Sequence, residues 1–357
     1  MKKFIVIVIL SITFILCNTL FYPALLQEQD KAPIRPVSAG QAAYTPVIDE
    51  ARSSAGAYPA AKVPEETLYE NIHHFSFNSK TVNFYKKNNN IYITYEAPKN
   101  LDTGILHEIK PNTADSSKLL VNKDNSLPKD YAPQKLTAIR PDKVKLEYPD
   151  LQLIPRTLDA LYSMVEAAKD AGIKGFIVNS AYRSLSTQQI IFDSNLNSFK
   201  KTSKTYEEAY AKTRLLVALP GNSEHHTGLA LDIFSVTGRH RDDFEGTGEQ
   251  IWLNRNLYKY GFILRYPRDK TEKTSSTYEP WHIRFTGIPL STYMTEKKLC
   301  LEEFYEKILS DGILENSPYL FMRVKSSQKV YVAPELLNHV ELESVNKENA
   351  LLTVKND

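Results

Sequence analysis

Ser223-Glu224-His225-His226-Thr227-Gly228-Leu229-Ala230-Leu231-Asp232 decides how this chain is read, and Glu279-Pro280-Trp281-His282 is its complement. Together the two segments offer two histidines and an aspartate as metal ligands, with a glutamate to spare. Three protein ligands with water in the fourth position is the composition of a catalytic zinc site. His225 and Asp232 are separated by seven positions. On one helix they would sit about 10 Å apart along the axis, and on one straight strand they would point to opposite faces. Ligands roughly 2 Å from a single metal cannot be so separated, so the chain must bend between them. Thr227-Gly228 supplies the bend, and Leu229-Ala230-Leu231 carries Asp232 onward as a strand. On the residues alone, His226 is an alternative ligand to its neighbour His225.

His282 completes the set from a distant segment. Pro280 prevents a regular helix from Glu279 to His282, which leaves an extended, kinked path. On such a path His282 can bind the metal while Glu279 reaches the attacking water, takes its proton and passes it to a leaving amine. The other five histidines of the chain are given no ligand role.

The bulk numbers narrow the classes. The chain has 357 residues, 42% apolar and 24% charged, as expected of a globular protein of one large or two modest domains. Lys and Arg number 44 against 42 Asp and Glu, and no basic patch interleaved with aromatics appears, so nucleic acid is not an expected partner. The two cysteines, Cys17 and Cys300, form no CxxC pair, which excludes a thiolate-based structural zinc. The uncharged stretch from Phe4 to Leu26 follows Lys2-Lys3. As a helix it would be roughly 34 Å long, enough to span a bilayer. The expectation is a single-pass anchor at the cell membrane with the catalytic domain facing outside. The alternative is a chain secreted after signal cleavage.

Five segments are expected: an anchor or signal over 1–26, a Pro/Ala-rich spacer over 27–64, a variable segment over 65–118 with a β-hairpin turning at Asn88-Asn89-Asn90, a zinc domain over 119–312, and a small β appendage over 313–357. Within the zinc domain, Pro155 opens a helix that Gly172 stops. Gly175 to Val178 reads as a buried strand, Tyr206 to Leu219 as a helix, and Leu229 to Phe234 as a strand. Glu249 to Tyr260 is helical up to Gly261, Phe262 to Tyr266 and Trp281 to Phe285 are strands, and Leu301 to Asp311 is a last helix. Without a regular βαβ rhythm the fold class is α+β.

These motifs resemble those of the zinc D,D-carboxypeptidases and D,D-dipeptidases of bacterial cell-wall metabolism, of the VanY type. The family pattern S-x-H-x-x-G-x-A-x-D is met by Ser223, His225, Gly228, Ala230 and Asp232, and E-P-W-H-x-R by Glu279 to His282 and Arg284. Ser180-Ala181-Tyr182-Arg183 is similar to the family's S-G-[YF]-R, with alanine in place of glycine. The likeness spans roughly residues 119 to 310. It implies a small antiparallel sheet with flanking helices carrying one zinc ion per chain, a hedgehog and D,D-peptidase-like fold, plus the C-terminal appendage. It implies His225, Asp232 and His282 as zinc ligands, Glu279 as general base and Arg183 as the oxyanion donor. Gln188, Ser223 and Tyr182 would contact substrate, although Gln189 adjoins Gln188 and Ser223 is also suited to capping the turn. The implied partner is a peptidoglycan precursor or stem peptide ending in D-Ala-D-Ala. Loss of its last D-Ala removes the dipeptide that glycopeptide antibiotics bind.

Rival expectations are a D,D-dipeptidase or L,D-endopeptidase of the same fold, or a non-catalytic zinc-containing wall-binding module. The last would have no need of Glu279 and Arg183 together. A serine penicillin-binding enzyme is disfavoured, since S-x-x-K with S-D-N and K-T-G partners is missing.

Overall fold

Leu231, Ile233 and Ile283 are fully buried on the strands that carry two of the candidate ligands, and they anchor the main hydrophobic core. The computed structural model describes residues 69–77, 79–97, 99, 101–113, 116–237 and 241–355. Tyr69–Asp357 is one of two units into which the chain divides.

Four strands come first: β1 (Glu70–Phe77), β2 (Lys80–Lys87), β3 (Asn90–Thr94) and β4 (His107–Ile109). Asn88 and Asn89 join β2 to β3 with φ of 49° and 66°. Asparagine tolerates this left-handed backbone better than most residues, and such two-residue turns match the strand twist. The central region follows with β5 (Thr137–Ala138), β6 (Lys145–Leu146), β7 (Gln152–Leu153), helix α1 (Pro155–Asp170), β8 (Phe176–Ser180), α2 (Leu185–Lys200), α3 (Tyr206–Leu216) and β9 (Ala230–Ser235). Then come α4 (Gly248–Asn256), β10 (Phe262–Leu264), β11 (His282–Phe285), α5 (Leu290–Lys297) and α6 (Leu301–Asp311). The chain closes with β12 (Ile313–Asn316), β13 (Tyr319–Lys325), β14 (Val330–Val332), β15 (Val340–Ser344) and β16 (Asn349–Lys355).

The central sheet has the order β10-β11-β9-β8-β6. It is antiparallel except at the edge, where β6 runs parallel to β8. The α+β class with a small sheet and flanking helices is therefore what the chain adopts. Pro155 occupies the first turn of α1, whose Leu158, Leu161, Met164 and Ala168 are buried in the core beneath the sheet. Two helices were not legible in the apolar periodicity. In α2 the buried positions are Gln188, Phe192 and Leu196, one of them polar. Its clearest signal is Ser184, which caps the helix by accepting from the Thr187 amide. Helix α5, only eight residues long, is too short for a clear periodic signal.

The strands before and after this centre share a second core. The sheets β1-β2-β3-β14-β4 and β12-β13-β16-β15 enclose Phe75, Phe84, Leu320, Met322 and Val354. Strand β14 inserts between β3 and β4, so the strands before and after the centre form one β module. Glu343 on β15 joins it to the central region through Lys118 Nζ at 3.1 Å, Ser117 Oγ at 2.9 Å and Arg156.

The expected membrane placement is corrected. The stretch from Phe4 to Leu26 lies outside the described residues, as does the spacer over 27–64. Among the described residues no helix is long and apolar enough to cross a membrane. The longest described helices, α1 and α2, are too short for it. Each has 16 residues, about 24 Å of helix against a hydrocarbon core of about 30 Å, and each exposes a polar face. The single-pass anchor is not supported, nor is the membrane as a partner.

Candidate metal centre

Asp232 and His282 are direct cross-strand neighbours, paired in the antiparallel register of β9 and β11. Opposed residues of antiparallel strands share a face, which brings these two side chains together. Ser180 at the end of β8 pairs with Asp232 from the other side, after an irregularity following Val178. His225 comes from a 3-10 turn, Glu224–Thr227, that immediately precedes β9. Gly228 ends that turn with φ of 66°. A Cβ there would lie 3.0 Å from Ile154 Cγ2 and 3.1 Å from Leu136 Cδ2. Glycine is thus required both for the backbone conformation and for the close packing. This is the bend between His225 and Asp232 that the spacing demanded.

The loop after β8 is latched to the histidine turn. His225 Nδ1 donates to Ala181 O at 2.7 Å, and the Arg183 amide donates to His225 O at 3.1 Å. His225 Nε2 is left facing Asp232 Oδ2 at 3.5 Å. The neighbouring His226 has both nitrogens engaged: Nδ1 donates to Arg183 O at 2.7 Å, and Nε2 accepts from the Gly221 amide at 3.1 Å. His226 braces the loop, and His225 faces the cluster.

Ligand atoms of His225, Asp232 and His282 all lie within 4.8 Å of one another, and all three residues are buried. His282 Nδ1 lies 3.1 Å from Asp232 Oδ1. In a tetrahedral site with bonds of about 2.1 Å, ligand atoms are about 3.4 Å apart. The two His–Asp separations, 3.5 and 3.1 Å, bracket that value. The residues therefore fit a zinc ion, and an N₂O donor set suits that metal. Burial, with the nearby Arg183 charge, lowers the His225 pKa to about 4, which keeps this imidazole neutral as a ligand must be. Burial also opposes charge on His282, but the Asp232 and Glu224 carboxylates outweigh it and raise the pKa to about 9. Burial pushes the Asp232 pKa up, and His225 and His282 more than reverse this, holding it well below the usual carboxylate range.

Glu279 precedes β11 in a turn closed by the His282 amide donating to Glu279 O at 3.1 Å. Its Oε2 is 3.7 Å from His282 Nδ1, on the side facing the ligand cluster. Arg183 reaches the same side: Nη2 donates to Asp232 Oδ2 at 2.9 Å and Nε to Ser180 Oγ at 2.8 Å. Gln188 is 1% exposed, its Oε1 accepting from Arg183 at 3.3 Å and its Nε2 donating to Ala218 O at 2.8 Å. It buttresses Arg183 in this structure, while the adjacent Gln189 is exposed and bonded to Asp193. Ser223 stands at the N-cap of the histidine turn without a side-chain capping bond. Tyr182 is half-buried, its amide tied to Gln152 O.

Three buried charged residues behind His282 were not singled out as functional from the sequence. Glu224 Oε1 accepts from Arg265 Nε at 2.8 Å and from Arg284 Nη1 at 2.6 Å, with all three side chains fully buried. Arg265 is held in turn by both oxygens of Glu302. The available signal was a charge inside each apolar strand segment, Phe262-Ile-Leu-Arg265 and His282-Ile-Arg284-Phe285. Such charges are rarely buried unless paired. Tyr266 also packs here, its ring centroid 4.9 Å from that of His282.

Residues 150–288 match the family model described as VanY: D-alanyl-D-alanine carboxypeptidase. A D-alanyl-D-alanine carboxypeptidase of Enterococcus faecalis (strain ATCC 700802 / V583) is 34% identical over 214 residues, 57% of this chain and 74% of that protein. This chain belongs to the VanY family. The putative carboxypeptidase YodJ of Bacillus subtilis (strain 168) is 38% identical over 198 residues, 53% of this chain and 67% of that one. Among solved structures, the vancomycin-resistance D,D-dipeptidase VanXYg in complex with a D-Ala-D-Ala phosphinate analogue is 26% identical. It covers 68% of this chain and 94% of that one, with a TM-score of 0.57. The VanY-matched segment contains all the candidate residues from Tyr182 to His282. The chain is thus a hydrolase of the VanY carboxypeptidase family with the D,D-peptidase fold.

Proposed function

We propose that this protein is a zinc-dependent D,D-carboxypeptidase that removes the terminal D-Ala from peptidoglycan precursors or stem peptides ending in D-Ala-D-Ala. The observation that carries the reading is the convergence of His225, Asp232 and His282 with Glu279 and Arg183 on one side of the cluster. His225, Asp232 and His282 would hold the zinc. When bound, that ion supplies Lewis-acid polarisation and lowers the pKa of water. Glu279 takes the proton of the attacking water and delivers it to the D-Ala amine as the peptide bond breaks. Arg183 donates to the oxygen on which negative charge develops. Ser180, Gln188 and Asp232 hold the guanidinium in place for that task. Removing the last D-Ala destroys the dipeptide terminus that glycopeptide antibiotics bind, so the same activity would alter their target.

A second reading, D,D-dipeptidase action on free D-Ala-D-Ala, is favoured by the fold shared with VanXYg. The experiment compares the full chain with Glu279→Gln for D-Ala release from a muramyl-type pentapeptide and from free D-Ala-D-Ala, with metal content measured alongside. The proposal expects release of one D-Ala from the pentapeptide, abolition by chelator, and a variant that holds zinc but is about 10²–10⁴-fold slower. Cleavage of the free dipeptide alone establishes the second reading. A zinc-replete, folded chain that cleaves neither overturns both.

A further inference from the structure

We infer that Glu224 is a positioning residue for His282: its carboxylate accepts a hydrogen bond from the Nε2–H of that imidazole and thereby leaves Nδ1 as the bare nitrogen facing the metal position. This extends the zinc reading above and rests on it. Glu224 Oε2 and His282 Nε2 are both buried and, among the described residues, neither has a hydrogen-bond partner. They face each other at 3.6 Å. Leaving either polar atom unpaired costs about 1–3 kcal/mol. A ring shift of well under 1 Å would make each the partner of the other at ordinary hydrogen-bond distance.

The carboxylate has little freedom to turn elsewhere. Its Oε1 is clamped by Arg265 Nε and Arg284 Nη1. Arg265 is fixed by two bonds to Glu302, and Arg284 by the carbonyl oxygens of Phe285 and Leu119. Two buried guanidiniums bonded to Oε1, at 2.8 and 2.6 Å, make the charged carboxylate the form that pairs with them. An ionised carboxylate only accepts, so the nitrogen opposite it must carry the proton. Without metal, Asp232 Oδ1 at 3.1 Å holds a second proton on Nδ1 in the same way; a metal would displace that one, and the neutral ligated imidazole keeps a single proton. With it on Nε2, the lone pair lies on Nδ1, which is 3.1 Å from Asp232 and 3.7 Å from Glu279. A carboxylate behind a ligating histidine fixes both tautomer and ring orientation.

The plainer view is that Glu224 only neutralises two buried arginines. Glu224→Gln separates the two. The glutamine oxygen must stay with the guanidiniums, so its NH₂ faces His282 Nε2. A donor there favours the opposite tautomer, with the proton on Nδ1, where the metal must bind. Charge neutralisation alone predicts lost stability with the histidine chemistry intact.

The test uses the full chain, ¹⁵N-labelled and loaded with ¹¹³Cd. The expected result is cadmium coupling to His282 Nδ1 while Nε2 retains its proton. Zinc affinity of Glu224→Gln, read by chelator competition on cooperatively unfolding protein, is expected to fall about 10–100-fold. Glu224→Asp, which keeps the charge, is expected to recover part of that loss. Coupling through His282 Nε2, or a folded Glu224→Gln that holds zinc within about threefold of the unmutated chain, overturns the inference. If Glu224→Gln does not fold, the coupling in the unmutated chain decides alone. An unmutated chain that binds neither ion overturns the zinc reading and this one together.

Discussion

Arg183 Nη2 donates to Asp232 Oδ2 at 2.9 Å, so the guanidinium assigned to the oxyanion rests on one of the proposed metal ligands. The same side chain bonds Ser180 and Gln188. Three partners in three directions suit a planar guanidinium and not a single ammonium.

Arg183→Lys is therefore expected to lower kcat about 10²–10³-fold. Metal content should be retained, because His225, Asp232 and His282 are untouched. Steady-state D-Ala release and zinc stoichiometry on the same sample check this. An unchanged kcat would remove Arg183 from the chemistry.

The adjacent histidines should behave oppositely. His225→Ala is expected to lose tight zinc binding, because its Nε2 faces the cluster. His226→Ala is expected to keep the zinc but lose about 1–3 kcal/mol of stability, since Arg183 O and the Gly221 amide lose their partners. Paired zinc titrations and denaturant melts distinguish them. The reverse pattern would assign His226 as the ligand.

Gly228→Ala is expected to cost about 1–3 kcal/mol, from the left-handed backbone and the contacts with Ile154 and Leu136. Because Gly228 lies between His225 and Asp232, zinc affinity should fall with stability. A destabilised variant with unchanged affinity would show that the bend does not set the ligand geometry.

Stability at low pH should depend on Glu343. Burial alone raises its pKa, but Lys118 and Arg156 overcome this and lower it to about 2. The unfolded carboxyl titrates near 4.3. A depressed carboxylate stabilises the fold fully above the unfolded value, and that contribution is lost as pH falls through the folded value. Glu343→Gln is expected to cost about 3 kcal/mol at pH 6. The gap in Tm between variant and unmutated chain should close as pH approaches 2. A gap independent of pH would show that the pair with Lys118 is not what Glu343 contributes.

Some of this was legible because local chemistry left few choices. The spacing of His225 and Asp232 demanded a bend, and Gly228 is the residue that allows one. Pro155 marked the start of α1, and the apolar residues around Leu231 and Ile283 marked buried strands. Helix α2 escaped because its inward face carries Gln188, a polar residue that serves Arg183 rather than the apolar core. The hairpin and the C-terminal β appendage were legible, but which strands join them was not, because β14 pairs with β3 and β4 across more than two hundred residues of sequence and strand pairing carries no local mark of its partner.

The sequence by itself determined the candidate ligand types, the need for a turn between His225 and Asp232 if both hold one metal, and the presence of Glu279 close to His282. Residue type and short-range spacing govern those features, and both are written in the chain. The family pattern pointed to His225 over His226, and the tertiary structure supplies a physical difference that the residues alone could not: His225 Nε2 faces Asp232, while His226 Nε2 accepts from the Gly221 amide. Only the tertiary structure revealed Glu224, Arg265 and Arg284 behind His282, because a buried charge declares its role through partners that folding brings to it from far along the chain.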